Sequence, residues 1–140
     1  MIYLAQTDTT AGFLSQDLVA LNNLKGRAKN QPCIIAVASF AALKNFARVP
    51  AKYRALVRRA RKTTFIYSNL KSVRVVKDHP HALFLARLGW AYSTSANAHG
   101  KDFDEDFARA NADEIVDEKL FAGRPSRIFR LSRTAIKKVR

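Results

Sequence analysis

Pro80-His81-Ala82-Leu83-Phe84-Leu85-Ala86-Arg87-Leu88-Gly89-Trp90-Ala91-Tyr92-Ser93-Thr94-Ser95-Ala96-Asn97 reads as a helix, a stop, a strand and a polar loop in direct succession. Pro80 suits a first helical turn, where its missing N–H is not needed, and Gly89 suits the position that ends a helix after Leu88. Trp90 to Ser93 is a short strand pattern. The Ser95 hydroxyl and the Asn97 amide then fall just past that strand's carboxyl end, the place where α/β sheets hold ligands.

The same alternation extends along the chain. Ile2 to Ala5, Cys33 to Ala38, Thr63 to Tyr67 and Ser72 to Val76 carry the β-branched and aromatic enrichment of strands, and Ile128, Phe129 and Leu131 add a last one. Helices are predicted between them: Ser15 to Leu24 with Leu18, Leu21 and Leu24 on one face and Ser15 as cap, a short one capped by Ser39 through Phe46, and one from Pro50 to about Lys62. A final helix through Ala110 has Asp102 as its cap, with acids at its positive end. Alternation of this kind predicts an α/β sandwich of helices on a twisted sheet, in a single domain over residues 1–140.

Composition sets further bounds. With 48% hydrophobic residues and few Gly or Pro, the chain is globular and long enough for one core. Its single cysteine, Cys33, excludes an intramolecular disulfide and a cysteine zinc cluster, which favours a reducing compartment. The opening Met1 to Asp8 has neither a basic region nor a long apolar run, so no signal peptide is expected, and no stretch is long enough to span a membrane; a cytoplasmic location follows as an expectation. No P-loop, no Gly-x-Ser-x-Gly elbow and no dinucleotide fingerprint is present. His79, His81 and His99 lack the spacing of a helical metal site, so no protein-held metal is expected.

The net charge of +14 is unevenly distributed. No acid occurs from Leu18 to Lys77, the acids gather between Asp102 and Glu118, and the chain closes on a basic run from Arg124 to Arg140. Asp104, Glu105, Asp106, Asp113 and Glu114 read as a solvated helix face. Unopposed positive charge attracts phosphate backbones over long range, making tRNA or double-stranded RNA an expected partner. Phe40, Phe46, Tyr53, Phe65 and Tyr67 lie within the basic half, either as core or as rings on which bases stack.

Lys25-Gly26-Arg27 follows the first helix. Lysine offers phosphate a mobile point charge and arginine a planar fork, yet such a triplet also arises by chance in a chain this basic. Three other segments stand with it: Thr7-Asp8-Thr9-Thr10-Ala11-Gly12-Phe13, Val73-Arg74-Val75-Val76-Lys77-Asp78-His79-Pro80, and Ser93-Thr94-Ser95-Ala96-Asn97-Ala98-His99-Gly100. In this order and spacing they resemble the YrdC/YciO family, whose characterised members are threonylcarbamoyl-adenylate synthases of tRNA modification. The family's elements read Pro-Thr-Asp/Glu-Thr-x-Tyr-Gly-Leu, Lys-x-Arg, Val-Arg-Val-Pro-x-His-Pro and Ser-Thr-Ser-Ala-Asn-x-Ser-Gly.

That resemblance implies a YrdC-like twisted mixed sheet flanked by helices, with a concave basic site. It implies a nucleotidyltransferase that joins L-threonine, bicarbonate or CO2 and ATP into L-threonylcarbamoyl-adenylate, releases pyrophosphate with Mg2+ assisting, and hands the product to threonylcarbamoyl-transferase machinery. On this reading Lys25, Arg27, Ser95 and Asn97 hold ATP and carry catalysis, while Thr7, Arg74 and Ser126 hold threonine. The chain departs from the pattern at Gln6, Ala11, Ala28 and Gln31, lacks a Pro-Gly-Pro element before Thr63, and is shorter than the family's usual members. A non-catalytic RNA-binding module on the same scaffold is therefore the rival expectation.

Overall fold

The computed structural model describes all residues from Met1 to Arg140, which gather into two compact units. Residues Met1–Cys33 and Ala91–Pro125 form the first; Ile34–Trp90 and Ser126–Arg140 form the second. Strands and helices alternate in both, and each unit pairs its strands in a mixed parallel and antiparallel manner, so the expected α/β class with a mixed sheet and flanking helices is observed.

In the first unit, β1 (Tyr3–Gln6) and β2 (Ala11–Ser15) form an antiparallel hairpin with Leu4 opposite Phe13. β2 also pairs antiparallel with β6 (Ala91–Ser95), setting Gly12 opposite Ser95. All five residues of β2 are buried, as a strand paired on both edges and covered on its faces requires. Helix α1 (Leu18–Lys25) packs on β2, and Leu21 joins Leu4, Ala11, Phe13 and Ala108 in a core closed by α5 (Glu105–Asn111), whose Phe107 meets the Phe13 ring edge-on. The short β7 (Glu114–Ile115) runs parallel to β1 at the unit's edge.

In the second unit the strand order is β3 (Ile34–Val37), β5 (Ser72–Val75), β4 (Thr63–Ile66), β8 (Arg127–Leu131), β9 (Ile136–Lys138). β3 with β5 and β4 with β8 are parallel; β4 with β5 and β8 with β9 are antiparallel. Helix α4 (His81–Leu88) packs on β3 through the fully buried Leu85, and α2 (Phe40–Leu43) packs on β3 and β5 through Leu43. Helix α3 (Arg54–Arg59) contributes the buried Val57. No helix in either unit is long and apolar enough to cross a membrane.

Several boundaries differ from those expected of the sequence. Ser15 belongs to β2, where its hydroxyl accepts from the Asp17 amide, and Asp17 caps α1 by accepting from Ala20. Asp104, not Asp102, caps α5, accepting from the amides of Asp106 and Phe107. Ser39 caps α2 as expected, but that helix ends at Leu43, and the helix from Pro50 is a 3-10 turn at Ala51–Tyr53 followed by α3. The acids after Asp102 are not one solvated face. Asp113 accepts from the Ile2 amide at 2.7 Å and Asp117 from the Gln6 amide at 2.8 Å, while Glu114 lies in β7.

Those carboxylates fasten a strap, residues 113–123, across the β1–β2 hairpin. The Phe121 carbonyl accepts from Ala11, the Phe121 amide donates to Gln6 Oε1, and the Gly123 amide donates to Thr10 Oγ1. Gly123 lies so close to the hairpin turn that a β-carbon there would clash with the Thr9 carbonyl oxygen, a backbone atom with little room to yield. Gly123→Ala is therefore expected to lower stability by about 1–3 kcal/mol in denaturant unfolding; an unchanged midpoint would show that the strap lifts off at negligible cost.

Candidate functional site

The Lys-Gly-Arg segment is placed by a helix ending. Gly26 adopts a left-handed conformation (φ 75°) directly after α1, its amide reaches Asn23 O, and the Arg27 amide reaches Asn22 O at 2.9 Å. That pair of bonds is a Schellman ending, which fixes the directions in which Lys25 and Arg27 leave the helix. The buried Asn22 holds the loop that follows, donating to the carbonyls of Lys29 and Gln31 at 3.1 and 2.9 Å.

Lys25 turns inward and is only 4% exposed. Its Nζ donates to the Ser95 carbonyl at 2.7 Å and to Asn97 Oδ1 at 3.2 Å, with Ser95 Oγ at 3.5 Å. Asn97 is aimed at it because its own Nδ2 is tied to the carbonyls of Ala98 and Lys101. The His99 amide donates to the Lys25 carbonyl, so main chain and side chain both bind the loop to the helix end. Every acceptor around Nζ is neutral. The ammonium charge is thus directed and desolvated but not cancelled, the condition for receiving an anion. Burial, and secondarily the nearby Arg27 charge, lower its pKa from 10.5 to about 8.

Arg27 lies beside this cluster with one guanidinium nitrogen donating to Cys33 Sγ at 3.1 Å, while its Nε is buried without a partner. Cys33 Sγ in turn faces Asn22 Oδ1, and burial raises the thiol's pKa although Arg27 pulls the other way. The sequence reading missed both Asn22 and Cys33 as positioning residues. An amide among Leu18, Leu21 and Leu24 on a helix was the available signal.

Thr7 is buried, and its hydroxyl is the hub of the hairpin turn. It accepts from the amides of Thr9 and Thr10 and donates to the Thr10 carbonyl at 2.6 Å. Gly12 sits at the same end of the hairpin, where a β-carbon would meet Thr7 Cγ2 at 2.9 Å and the Thr94 carbonyl at 3.1 Å. Thr7 therefore acts on its surroundings by shaping the turn.

In the second unit, Arg74 and Ser126 are brought together through a residue the sequence reading did not single out. Arg74 on β5 is buried and directly opposite Thr64 on β4, so both side chains leave one face. Thr64 Oγ1 and Ser126 Oγ are 2.8 Å apart, and Arg140 holds Ser126 from the other side through its carbonyl at 3.0 Å and hydroxyl at 3.3 Å. His81, 3% exposed at the start of α4, leaves both ring nitrogens unpaired. Burial first, then the Arg74 charge and His79, lower its pKa to about 3, so this imidazole is neutral at physiological pH. His79 Nδ1 accepts from the His81 amide. Among all 140 residues no three His, Cys, Asp or Glu side chains gather as a metal-ligand set.

Comparison with known proteins gives structural likeness only. No family model matches the chain, and no curated protein matches it by sequence. Among solved structures, Sua5 from P. abyssi, crystallised with L-threonine, superposes with a TM-score of 0.82 at 23% identity, over 99% of this chain and 49% of that one. E. coli YciO superposes at 0.75 and 14% identity, over 99% and 82%. MTH1692 from Methanobacterium thermoautotrophicum superposes at 0.70 and 21%, over 99% and 79%. The chain has the fold of Sua5 and YciO, as the resemblance implied, and spans about half the length of the Sua5 structures it matches.

The Lys25 environment makes a prediction that needs no substrate. Because its folded pKa lies below the unfolded value, the unfolded chain binds more protons between about pH 8 and 10.5, and the Lys25 contribution to stability rises with pH across that window. Subtracting the unfolding free energy of Lys25→Met from that of the wild type should leave a difference that climbs from pH 8 upward. A flat difference would mean that Lys25 titrates normally in the fold.

Proposed function

We propose that this chain is a compact YrdC/YciO-type nucleotidyltransferase that makes L-threonylcarbamoyl-adenylate from L-threonine, bicarbonate or CO2, and ATP, releasing pyrophosphate. The observation that carries the reading is the bonding of Lys25 Nζ by Ser95 and Asn97, two motif segments 70 residues apart in sequence, around a charge with no carboxylate partner. The fold shared with the threonine-bound Sua5 structure supports it.

ATP is a substrate here, and its phosphates are what Lys25 and Arg27 are suited to receive. The held ammonium would set its charge against the phosphates, and the unpartnered Nε of Arg27 leaves that guanidinium with an unused donor. Ser95 and Asn97 would fix Lys25 and order the adjoining loop. Mg2+ would arrive on the triphosphate and supply charge neutralisation there. In the threonine role, Arg74 offers a carboxylate its bidentate fork, with Thr64 and Ser126 as neighbouring hydroxyls. The threonine amine is itself the nucleophile toward CO2, and the resulting carbamate then attacks the α-phosphate. Alignment and electrostatic stabilisation therefore account for the rate without a protein acid/base pair. The activated product would pass to a transferase acting on tRNA in the cytoplasm.

Pyrophosphate release from ATP, with Mg2+ and bicarbonate, should require L-threonine and fall about a hundredfold or more in Lys25→Ala. Asn97→Ala should lower the rate less, since Lys25 keeps the Ser95 carbonyl. Release indifferent to threonine, or equal in wild type and Lys25→Ala, would overturn the synthase reading.

A further inference from the structure

Two strand edges of this protein are open, and their sequences are complementary. β7 pairs with β1 alone and β9 with β8 alone, so each ends its ladder with an outward edge. Every residue from 113 to 116 and from 135 to 139 is exposed, so neither edge is covered by a helix or loop. An open edge is a template for another strand, and short length and charge are the devices that blunt it. Both edges here carry charge, but of opposite sign.

The first unit's edge reads Asp113-Glu114-Ile115 and the second unit's reads Ile136-Lys137-Lys138. Laid antiparallel, Asp113 falls opposite Lys138, Glu114 opposite Lys137 and Ile115 opposite Ile136. Two pairs of opposite charge are thus followed by an apolar pair, and both kinds are favourable when directly opposed across strands. Asp113 already holds the Ile2 amide at 2.7 Å, which fixes its carboxylate beside the edge. Ile115 and Ile136 are 42% and 41% exposed, apolar area that the pairing would remove from water.

On β9, Lys137 stands directly opposite Arg130 of β8, an unfavourable pair that a carboxylate from outside would relieve. The second unit has none to spare: residues 34–90 and 126–140 carry 18 Lys and Arg against one acid, Asp78, a net +17, and Asp78 is paired with Arg61 at 2.8 Å. Residues 1–33 and 91–125 carry seven Lys and Arg against ten Asp and Glu, a net −3. Like edges therefore repel, acid against acid or lysine against lysine. Only the unlike edges of separate copies attract.

From these edges we infer that copies of this chain associate head to tail, β7 of one copy adding antiparallel to β9 of the next in the register that sets Glu114 opposite Lys137. The contact is heterologous, so each pair of copies keeps one free edge of each kind and growth continues unless a ring closes. Strands this short bury little area, which makes the association weak, populated at about 0.1–1 mM. None of the residues assigned to the proposed synthesis takes part, so either reading can fail without the other.

The test is sedimentation of the full chain from about 10 µM to about 1 mM in roughly 0.15 M salt, where repulsion between chains is screened beyond about 8 Å while charges in contact are not. The wild-type average mass should rise with concentration above the 15.7 kDa of one chain. Glu114→Lys and Lys137→Glu, both at exposed positions, should each stay monomeric, because each sets like charges against one another across the contact. Mixed in equal amounts they should associate as the wild type does, each supplying the edge the other lacks, and the double variant Glu114→Lys/Lys137→Glu should associate alone. Melting temperatures check folding, and Lys137→Glu, which sets an acid opposite Arg130, should melt no lower than wild type. Where either single variant fails to fold, Lys138→Glu, which sets an acid against Asp113, must abolish association and Lys138→Arg must keep it. A wild type that stays monomeric to about 1 mM overturns the inference. So does association that either single variant retains, or that the mixture fails to restore.

Discussion

The bond between Lys25 and the 95–97 loop is the constraint on which the first unit's chemistry depends. A buried ammonium costs stability unless its protons are satisfied, and here the satisfying atoms are a carbonyl and an amide oxygen, both neutral. A carboxylate in their place would have cancelled the charge. Most of the surrounding structure serves to hold this arrangement in place. The Schellman ending at Gly26 turns the helix off where Lys25 must face inward, Asn22 staples the following loop, and the Asn97 amide group is locked by two carbonyls so that its oxygen is the atom left for Nζ.

The two units divide the molecule's chemical resources. The first holds most of the acids, and it spends two of them on backbone amides of β1, Asp113 on Ile2 and Asp117 on Gln6. This makes the acidic stretch a structural fastening for the Thr7 turn. The second holds 18 of the 25 Lys and Arg together with the Arg74, Thr64 and Ser126 group, in which a buried guanidinium, two hydroxyls and a neutral imidazole occupy a low-dielectric interior. A substrate carboxylate entering such an environment would be stabilised more strongly than at a solvated arginine.

Much of the fold was legible because the strands at 34–37 and 63–66 are continuous apolar or β-branched runs, those at 72–75 and 91–95 carry β-branched or aromatic residues between polar ones, and Pro80 and Gly89 punctuate α4. β2 was missed because the turn before it contains no Gly, Pro or Asn; Thr7 builds that turn with its side chain, which mimics backbone hydrogen bonding. Without β2, Ser15 was free to look like a cap two residues ahead of Asp17. β7 and β9 are two and three residues long, too short for periodicity to register. The convergence of Lys25 with Ser95 and Asn97 followed from motif order. Thr64 was not legible, since it touches the site only through its register with Arg74 and its bond to Ser126, which are tertiary facts.

Under the proposed function Lys25 is a depressed-pKa ammonium that would receive a phosphate, and nucleotide binding would therefore take up protons. Isothermal titration of ATP with Mg2+ at pH 8, in two buffers of different ionisation enthalpy, measures that uptake directly. With a free-state pKa of about 8, an arriving phosphate that restores full protonation should draw about half a proton per nucleotide bound, and Lys25→Met should abolish the buffer dependence. Tight ATP binding with the same heat in both buffers would contradict the account, because the phosphates would then be seated away from Lys25.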